Sequence, residues 1–489
     1  MEIIKFTLIL AFTFWASTFR AQIVFEKAYG NSQEEHGEGI VQLPDSSYII
    51  VGSTSSFGDL TSDALILKID SVGTVIWAKN KGGSNVDQLK KVIRTSDGNL
   101  AMVGFTNSFG AGGYDVYFMR MDSNGVILQS RTFGGVDWDL GYSLIETSDG
   151  GIVISGETYS SGSGQNDAFL LKIDSFGDTI WSQTYGGLGE EIGWSVREAS
   201  NGDLLLAAET SSIGAGKRDA WLLRLDNLGN IIWEQSYGDT EDDFGADMVE
   251  LTNGNIMFVW NTTEVSDTNW NVRQSKINPT NGSQIHQLVF FAPYLEQGSR
   301  IIAQPGKPAT LCIGKIAPNT TGNDMNYFGL DTVGMGYYSP CSGAGQTYGG
   351  NGEDGGSDVI VTSDGGFILV GNRQIGTGYN SVFVVKLNPS CVSSGSTIMD
   401  SIFATGIDEE LIPTLELFPN PSNGVFNINN LYSNAVLTIY NMYGKLVWRK
   451  ELDNQGSQML NTGLTAGIYL LKLEAEGIQM NSKIIVTRE

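Results

Sequence analysis

Residues 134–185 read GGVDWDLGYSLIETSDGGIVISGETYSSGSGQNDAFLLKIDSFGDTIWSQTY. Four runs rich in Ile, Val, Leu and aromatic residues stand out: Gly141 to Glu146, Gly151 to Glu157, Ala168 to Ile173 and Thr179 to Tyr185. Between them lie Ser148-Asp149-Gly150, a Gly/Ser stretch, and Asp174-Ser175-Phe176-Gly177. Short connectors holding Asp and Gly between β-prone runs are hairpin chemistry, because both residues tolerate positive φ. The stretch predicts a four-stranded antiparallel meander. Ala168-Phe-Leu-Leu-Lys-Ile173 is apolar on successive residues, as expected of a strand in a sheet packed between two others.

The unit recurs. Gly30, Gly82, Gly134, Gly186 and Gly238 are spaced by 52 residues, each in a Tyr-Gly or Gly-Gly step, and the step returns at Tyr348-Gly349-Gly350. The 111 residues from Gly238 to Gly349 hold two units, the second degraded but marked by Phe328-Gly-Leu-Asp331-Thr-Val-Gly334. Seven four-stranded units of about 50 residues describe a β-propeller. The last unit ends after its third strand, Val382 to Asn388, whereas Ile23-Val-Phe25-Glu-Lys-Ala-Tyr29-Gly30 aligns with the fourth strand Val75-Ile-Trp77-Ala-Lys-Asn-Lys81-Gly82. The expected fold is all-β: a seven-bladed propeller over 22–392 in which residues 22–29 complete the last blade, removing exposed sheet edges.

Composition narrows the function. The 489 residues carry 29 Lys plus Arg against 54 Asp plus Glu, a formal charge of −25. Nucleic-acid and anionic-membrane binding need clustered cations, so both are excluded. His36 and His286 are the only histidines, too few for a three-histidine zinc site. Residues 1–21, with Lys5, an apolar run from Phe6 to Trp15 and Ala21 before Gln22, predict a secretory signal peptide, and no later stretch predicts a transmembrane helix. Three cysteines in an exported chain allow one internal disulfide; Cys341 and Cys391 end strands of adjacent units, whereas Cys312 lies in an apolar run.

From Ser393 to Pro413 the chain turns to Ser, Gly, Thr and acidic residues, a linker composition. Residues 414–489 abandon the 52-residue period. They contain Leu417-Phe-Pro419-Asn420-Pro421-Ser-Asn-Gly424, then Leu437-Thr-Ile-Tyr440-Asn441-Met-Tyr-Gly444, then Leu464-Thr-Ala-Gly467-Ile-Tyr469. Alternating strands broken by such turns predict a small antiparallel β-sandwich. The segment resembles the type A C-terminal sorting domain of type IX secretion cargo, with Pro419, Asn420, Pro421, Gly424, Asn441, Gly444, Gly467 and Tyr469 in the motif positions. The resemblance implies export through the periplasm, recognition by the outer-membrane translocon, removal by a sortase, and a secreted or cell-surface destination.

A carboxylate stands five residues after each phase-marking glycine in the first five units: Glu35, Asp87, Asp139, Glu191 and Asp243; Glu296 and Asp354 hold the equivalent place in the last two. These positions open each innermost strand, at one mouth of the central channel. Asp63, Asp115, Asp167, Asp219 and Asp324 open the third strands at the same end. Two readings stand: a cation site, with calcium the ion such oxygens suit, or acceptors for turn N–H groups that recur because the turn does. Lys68, Arg120, Lys172, Arg224, Lys276 and Lys386 recur at the opposite end as solvated partners of turn acids. Trp77, Trp181 and Trp233 share one fourth-strand phase and suit either packing between blades or sugar stacking.

No catalytic set emerges from the repeating background, and no cofactor is expected. The expected function is a non-catalytic module that binds a surface glycan or protein. Units five and six break the symmetry, which makes Trp260, Trp270, Tyr327 and Tyr337 the ligand candidates, with Phe290, Phe291 and Tyr338 nearby. Two other readings are a surface polysaccharide hydrolase or lyase, favoured by two carboxylates among aromatics inside the channel, and an adhesin-like structural spacer.

Overall fold

The computed structural model describes residues 23–31, 33–56, 61–263, 270–290 and, in shorter stretches, most of 296–401 and of 417–487. The expected signal peptide lies outside the described residues. Seven antiparallel sheets follow one another, six of them with four strands in chain order. Their first strands are Glu35–Gln42, Asp87–Arg94, Asp139–Glu146, Glu191–Glu198, Asp243–Glu250, Glu296–Ala303 and Gly355–Val361. Each first strand touches the next, and the seventh touches the first. The chain is therefore a closed seven-bladed propeller, as the period predicts.

Closure works through the amino terminus. Phe25–Gly30 pairs antiparallel with the third strand of blade 7, Asn380–Leu387, matching Phe25 to Lys386 and Tyr29 to Val382. The strand is gripped on its other edge too. Thr397–Ser401, expected to be linker, runs parallel to it with Glu26 opposite Thr397 and Gly30 opposite Ser401. A closing strand with a bare outer edge would leave N–H and C=O groups open to pairing, and the chain leaving blade 7 covers that edge. Ser393 adds a hydroxyl bond to Glu26.

The apolar third strands fill the spaces between sheets. Leu65, Leu67, Phe118, Leu170, Leu222, Phe383 and Val385 are buried, and core clusters span successive blades. Fourth strands are tied to the following blade. The Tyr29, Tyr185 and Tyr237 hydroxyls donate to the carbonyls of Gly73, Gly229 and Gly282 at 2.8, 2.8 and 2.6 Å. Gly73 and its counterparts Gly125, Gly177, Gly229 and Gly282 hold positive φ in the turn before the fourth strand. In blade 7 this place falls to Cys391, at φ 60°, which is disulfide-bonded; Cys341 lies outside the described residues.

The recurrent basic residues clamp the same end. Lys172 meets Asp149, Arg224 meets Asp203 at 2.7 Å, and Lys386 meets Asp364 at 2.9 Å. Turn acids are their partners, but Lys68, Lys172 and Lys386 are buried rather than solvated. Lys68 and Arg224 also reach carbonyls of the next blade, Ser123 and Pro279, so their stems lie between blades.

The C-terminal unit is a separate sandwich of a three-stranded and a four-stranded sheet. Phe426 and Leu460 of one sheet pack against Leu437, Ile439, Leu471 and Ile484 of the other. Of the sorting-motif residues, Gly424 takes φ +93°, Asn441 accepts the Lys445 N–H at 3.0 Å, and Tyr469 donates to the Thr465 carbonyl at 2.7 Å. Gly467 opens the strand Gly467–Ala475. Pro419, Asn420, Pro421 and Gly444 lie outside the described residues. Among the described residues no helix is long and apolar enough to cross a membrane.

The closing strand yields a stability prediction. Ala28 is fully buried with sheet partners on both sides, so Ala28→Pro removes a ladder donor and wedges a ring into a packed interface. It should cost about 2–4 kcal/mol, read as a lower urea midpoint. An unchanged midpoint would show that closure contributes little.

Candidate functional site

Among the described residues the repeated glycine and carboxylates form one joint five times, and a variant of it at Gly30, which lies between Ser381 and Glu35. At the passage from one blade to the next, a β-carbon on Gly82 would collide with both Asp63 and Asp87; Gly134, Gly186, Gly238 and Gly349 are wedged the same way between third-strand and first-strand acids. Only glycine lets the backbone pass. The first-strand acid accepts the turn N–H: Asn31 to Glu35 at 3.1 Å, Gly83 to Asp87 at 2.8 Å, Gly135 to Asp139 at 2.7 Å, Gly187 to Glu191 at 3.0 Å and Asp239 to Asp243 at 2.8 Å. Hydroxyls supply further donors, from Ser56 to Glu35, from Thr106 and Ser108 to Asp87, from Ser160 to Asp139 and from Thr210 to Glu191. Asp354 accepts the Gln374 N–H at 2.8 Å. Glu296 opens its strand opposite Ile316.

Glu35, Asp87, Asp139, Glu191, Asp243 and Asp354 are buried. Burial pushes Glu35, Asp87, Asp115 and Asp167 above the ordinary carboxylate range and Asp243 up to about 6, against the pull of their hydrogen bonds. Each serves its own joint. Among the described residues no group of three or more His, Cys, Asp or Glu is placed to hold a metal ion.

The innermost strands carry charges that pair across blades. After the bulge in every first strand the paired position holds Gly39, Lys91, Ser143, Ser195, Asp247, Arg300 and Asp358 in turn. Lys91 of blade 2 reaches past Gly39 to Asp358 of blade 7 at 2.7 Å. Arg197 of blade 4 binds Asp247 of blade 5 at 2.7 Å, and the same guanidinium donates to the Ile301 carbonyl of blade 6. Burial opposes the Asp247 charge, but Arg197 and Arg300 outweigh it and hold the carboxyl below its ordinary value. Both channel carboxylates are thus neutralised, and no aromatic occupies that ring.

A different constellation occupies the acid-bearing face of blades 2 to 4. Trp138, just before Asp139, is 52 % exposed and meets Tyr114 edge-on at 5.4 Å and Tyr159 at 5.9 Å. Tyr114 meets Phe105 at 5.4 Å, and a β-carbon on Gly113 would strike the Trp138 indole, so the ring lies over bare backbone. Deeper on the innermost strands, the bulge residues Tyr142 and Trp194 stack at 4.8 Å and 30°. Their polar tips enter matched triplets. Glu157 accepts from Tyr142 and from Asn166 at 2.6 Å; Glu209 accepts from Trp194 at 2.8 Å and from Arg218 at 3.2 Å, and Arg218 also holds Glu190 at 2.8 Å. Burial raises Glu157, with Glu190 adding to the cost of its charge, and pushes Glu209 up to about 7, with Glu157 adding to it. The result is a half-exposed aromatic edge beside anchored polar groups.

The sequence-derived ligand candidates fall elsewhere. Trp260 is buried, its indole N–H donating to Ser275 at 3.0 Å, with Arg273 over its ring. Trp270 begins a third strand at the place of Tyr114, Asn166 and Arg218; Tyr327 pairs with Ile313; Tyr337 lies outside the described residues. Trp77, Trp181 and Trp233 pack against core clusters, with Trp233 donating to the Pro279 carbonyl. The rim residues of blades 2 to 4 were visible in the sequence only as departures at fixed phases. Lys90, Tyr142, Trp194 and Ala246 share one phase, and Phe105, Glu157, Glu209 and Asn261 another.

Comparison with known proteins bears on the two ends of the chain differently. Residues 416–487 match the family model for the secretion system C-terminal sorting domain. The chain carries an export tail. That match fits a secreted or cell-surface protein and the order of motifs read from the sequence. The regulatory protein FlaEY of Caulobacter vibrioides is 27 % identical over 210 residues, 36 % of this chain, and the chain spans about a fifth (22 %) of that protein's length. PorZ, a surface component of the type IX secretion system of Porphyromonas gingivalis, overlaps 94 % of this chain and 60 % of its own at 11 % identity and a TM-score of 0.41. The extracellular domain of the BT4673 two-component system from B. thetaiotaomicron overlaps 94 % and 59 % at 9 % identity and 0.44. An α-L-arabinanase of Penicillium chrysogenum overlaps 76 % and 99 % at 12 % identity and 0.45. Likenesses at these scores carry no argument about function.

The buried acids give a pH prediction. A carboxyl whose folded pKa is raised destabilises the fold when ionised, so the fold binds more protons than the unfolded chain between the ordinary value and the raised one. Glu209 and Asp243, with Glu35, Asp87 and Glu157, place that window between about pH 4 and 7. Depressed acids such as Asp149, held near 2 first by Lys172, lose their contribution only below it. Tm should therefore rise as pH falls from 8 to 5, and Glu209→Gln should shrink the rise. Calorimetry showing Tm falling across that range would refute the assignment.

Proposed function

We propose that this chain is a type IX cargo whose C-terminal domain is recognised by the outer-membrane translocon and sortase, and whose propeller, within residues 22–392, binds a neutral glycan at the cell surface without turnover. The observation that carries the glycan reading is the Tyr114–Trp138–Tyr159 edge, with its half-exposed indole beside Glu190 and Arg218. An indole held edge-on by two neighbours keeps its face open at little entropic cost and suits the C–H face of a sugar ring. Flanking carboxylate, amide and guanidinium groups suit its hydroxyls. An abundance of carboxylates over cations disfavours acidic polysaccharides.

Catalysis finds less support. Glu209, near 7, has the protonation behaviour of a general acid, but its carboxylate is buried and shared between Trp194 and Arg218. The channel acids are locked in ion pairs.

The test is a neutral-glycan array probed with the mature full chain and its Trp138→Ala variant. The wild type should bind at least one neutral glycan, and the variant should lose about tenfold or more in affinity, on the order of 1.4 kcal/mol, with the variant still folding cooperatively because half of the indole is already exposed. Equal binding by the variant, or release of reducing ends by the wild type, would sink the reading.

A further inference from the structure

Between blades 2 and 3 the ring opens into a cleft of about 480 Å³, the size range of small-molecule sites. Its position coincides with a missing tether. Where Tyr29, Tyr185 and Tyr237 tie their fourth strand to the next blade's turn glycine, blade 2 has Phe133, which has no hydroxyl to give to Gly177, 44 residues on. Gln129 bonds the Phe176 carbonyl of that turn instead, from lower on the strand.

The lining has a definite chemistry. Phe133, Phe169, Leu171 and Val116 form an apolar floor, and Thr132, Thr158, Ser160, Ser161, Thr179 and Ser182 put hydroxyls around it. No lysine or arginine lines the cleft, and its one carboxylate, Asp139, already accepts from Gly135 and Ser160. Such a lining offers nothing to an anion and has no uncommitted charge for a cation. It offers apolar faces and exchangeable hydroxyls to a neutral ring that is itself apolar on one face and hydroxylated at its edge.

The cleft and the aromatic edge are built from the same two segments. Asp139 and Ser160 belong to the cleft, while their chain neighbours Trp138 and Tyr159 form the edge. We infer that the blade 2–3 cleft is a second sugar subsite, taking one or two neutral pyranose rings on the outer flank of the ridge whose inner side carries Trp138. The inference rests on the glycan reading above and extends it from a stacking platform to a two-sided grip suited to a branched or bent neutral chain.

The experiment uses the mature full chain and saturation-transfer NMR with cellobiose, maltose and methyl β-galactoside as probes. Thr179→Trp, at an exposed position lining the cleft, should fill much of it with the indole. Ser182→Trp, at an exposed position, should block the mouth without touching the core. Both should weaken binding of at least one probe by tenfold or more, while Trp138→Ala leaves residual transfer to the cleft. If the two cleft variants bind every probe as the wild type does, or if no probe shows transfer, the cleft subsite is overturned. Loss in Trp138→Ala alone overturns the cleft and leaves the platform standing.

Discussion

At five of the passages from blade to blade a glycine backbone, Gly82, Gly134, Gly186, Gly238 or Gly349, slips between two carboxylates. The joint is demanding in three ways at once. A β-carbon would collide with the acids, the acids need the turn's N–H and hydroxyl donors to be buried at all, and those donors come from residues fixed by the same repeat. Burying a carboxylate without such partners would cost several kcal/mol, so the joint forms as a unit or not at all. Successive first strands touch in turn, and the seventh touches the first.

Closure then depends on the amino terminus, which lies between the last sheet and the chain leaving it. The arrangement leaves the ring with no open strand between its ends. It also separates tasks along the chain: scaffold and closure in the period, and the sorting domain in the C-terminal sandwich. Cross-blade pairs Lys91–Asp358 and Arg197–Asp247 join the innermost strands around the axis.

The repeat made the scaffold legible. Glycines every 52 residues, acids at a fixed distance behind them, and an orphan fourth strand at the front reveal blade number, blade order and closure, because each reflects local turn chemistry that repeats with the sequence. The acids could be read as a cation ring or as turn acceptors, and only coordinates that supply the donors Gly83, Gly135 and Ser108 distinguish these uses. Blades 5 and 6 depart from the pattern as whole units, yet Trp260 packs inward. The aromatic edge sits in blades 2 to 4, which keep the period almost perfectly and differ only at phases facing the rim.

By itself the sequence determined the seven-fold ring, its closing strand and the export tail, since these follow from periodicity, turn residues and motif order along one chain. The tertiary structure decided which carboxylates take the joint's donors, that charges pair across the axis, that Thr397–Ser401 covers the closing strand, and that Tyr114, Trp138 and Tyr159 meet. Those facts concern side chains and strands drawn together from different blades, and no local pattern records distances across a sheet interface.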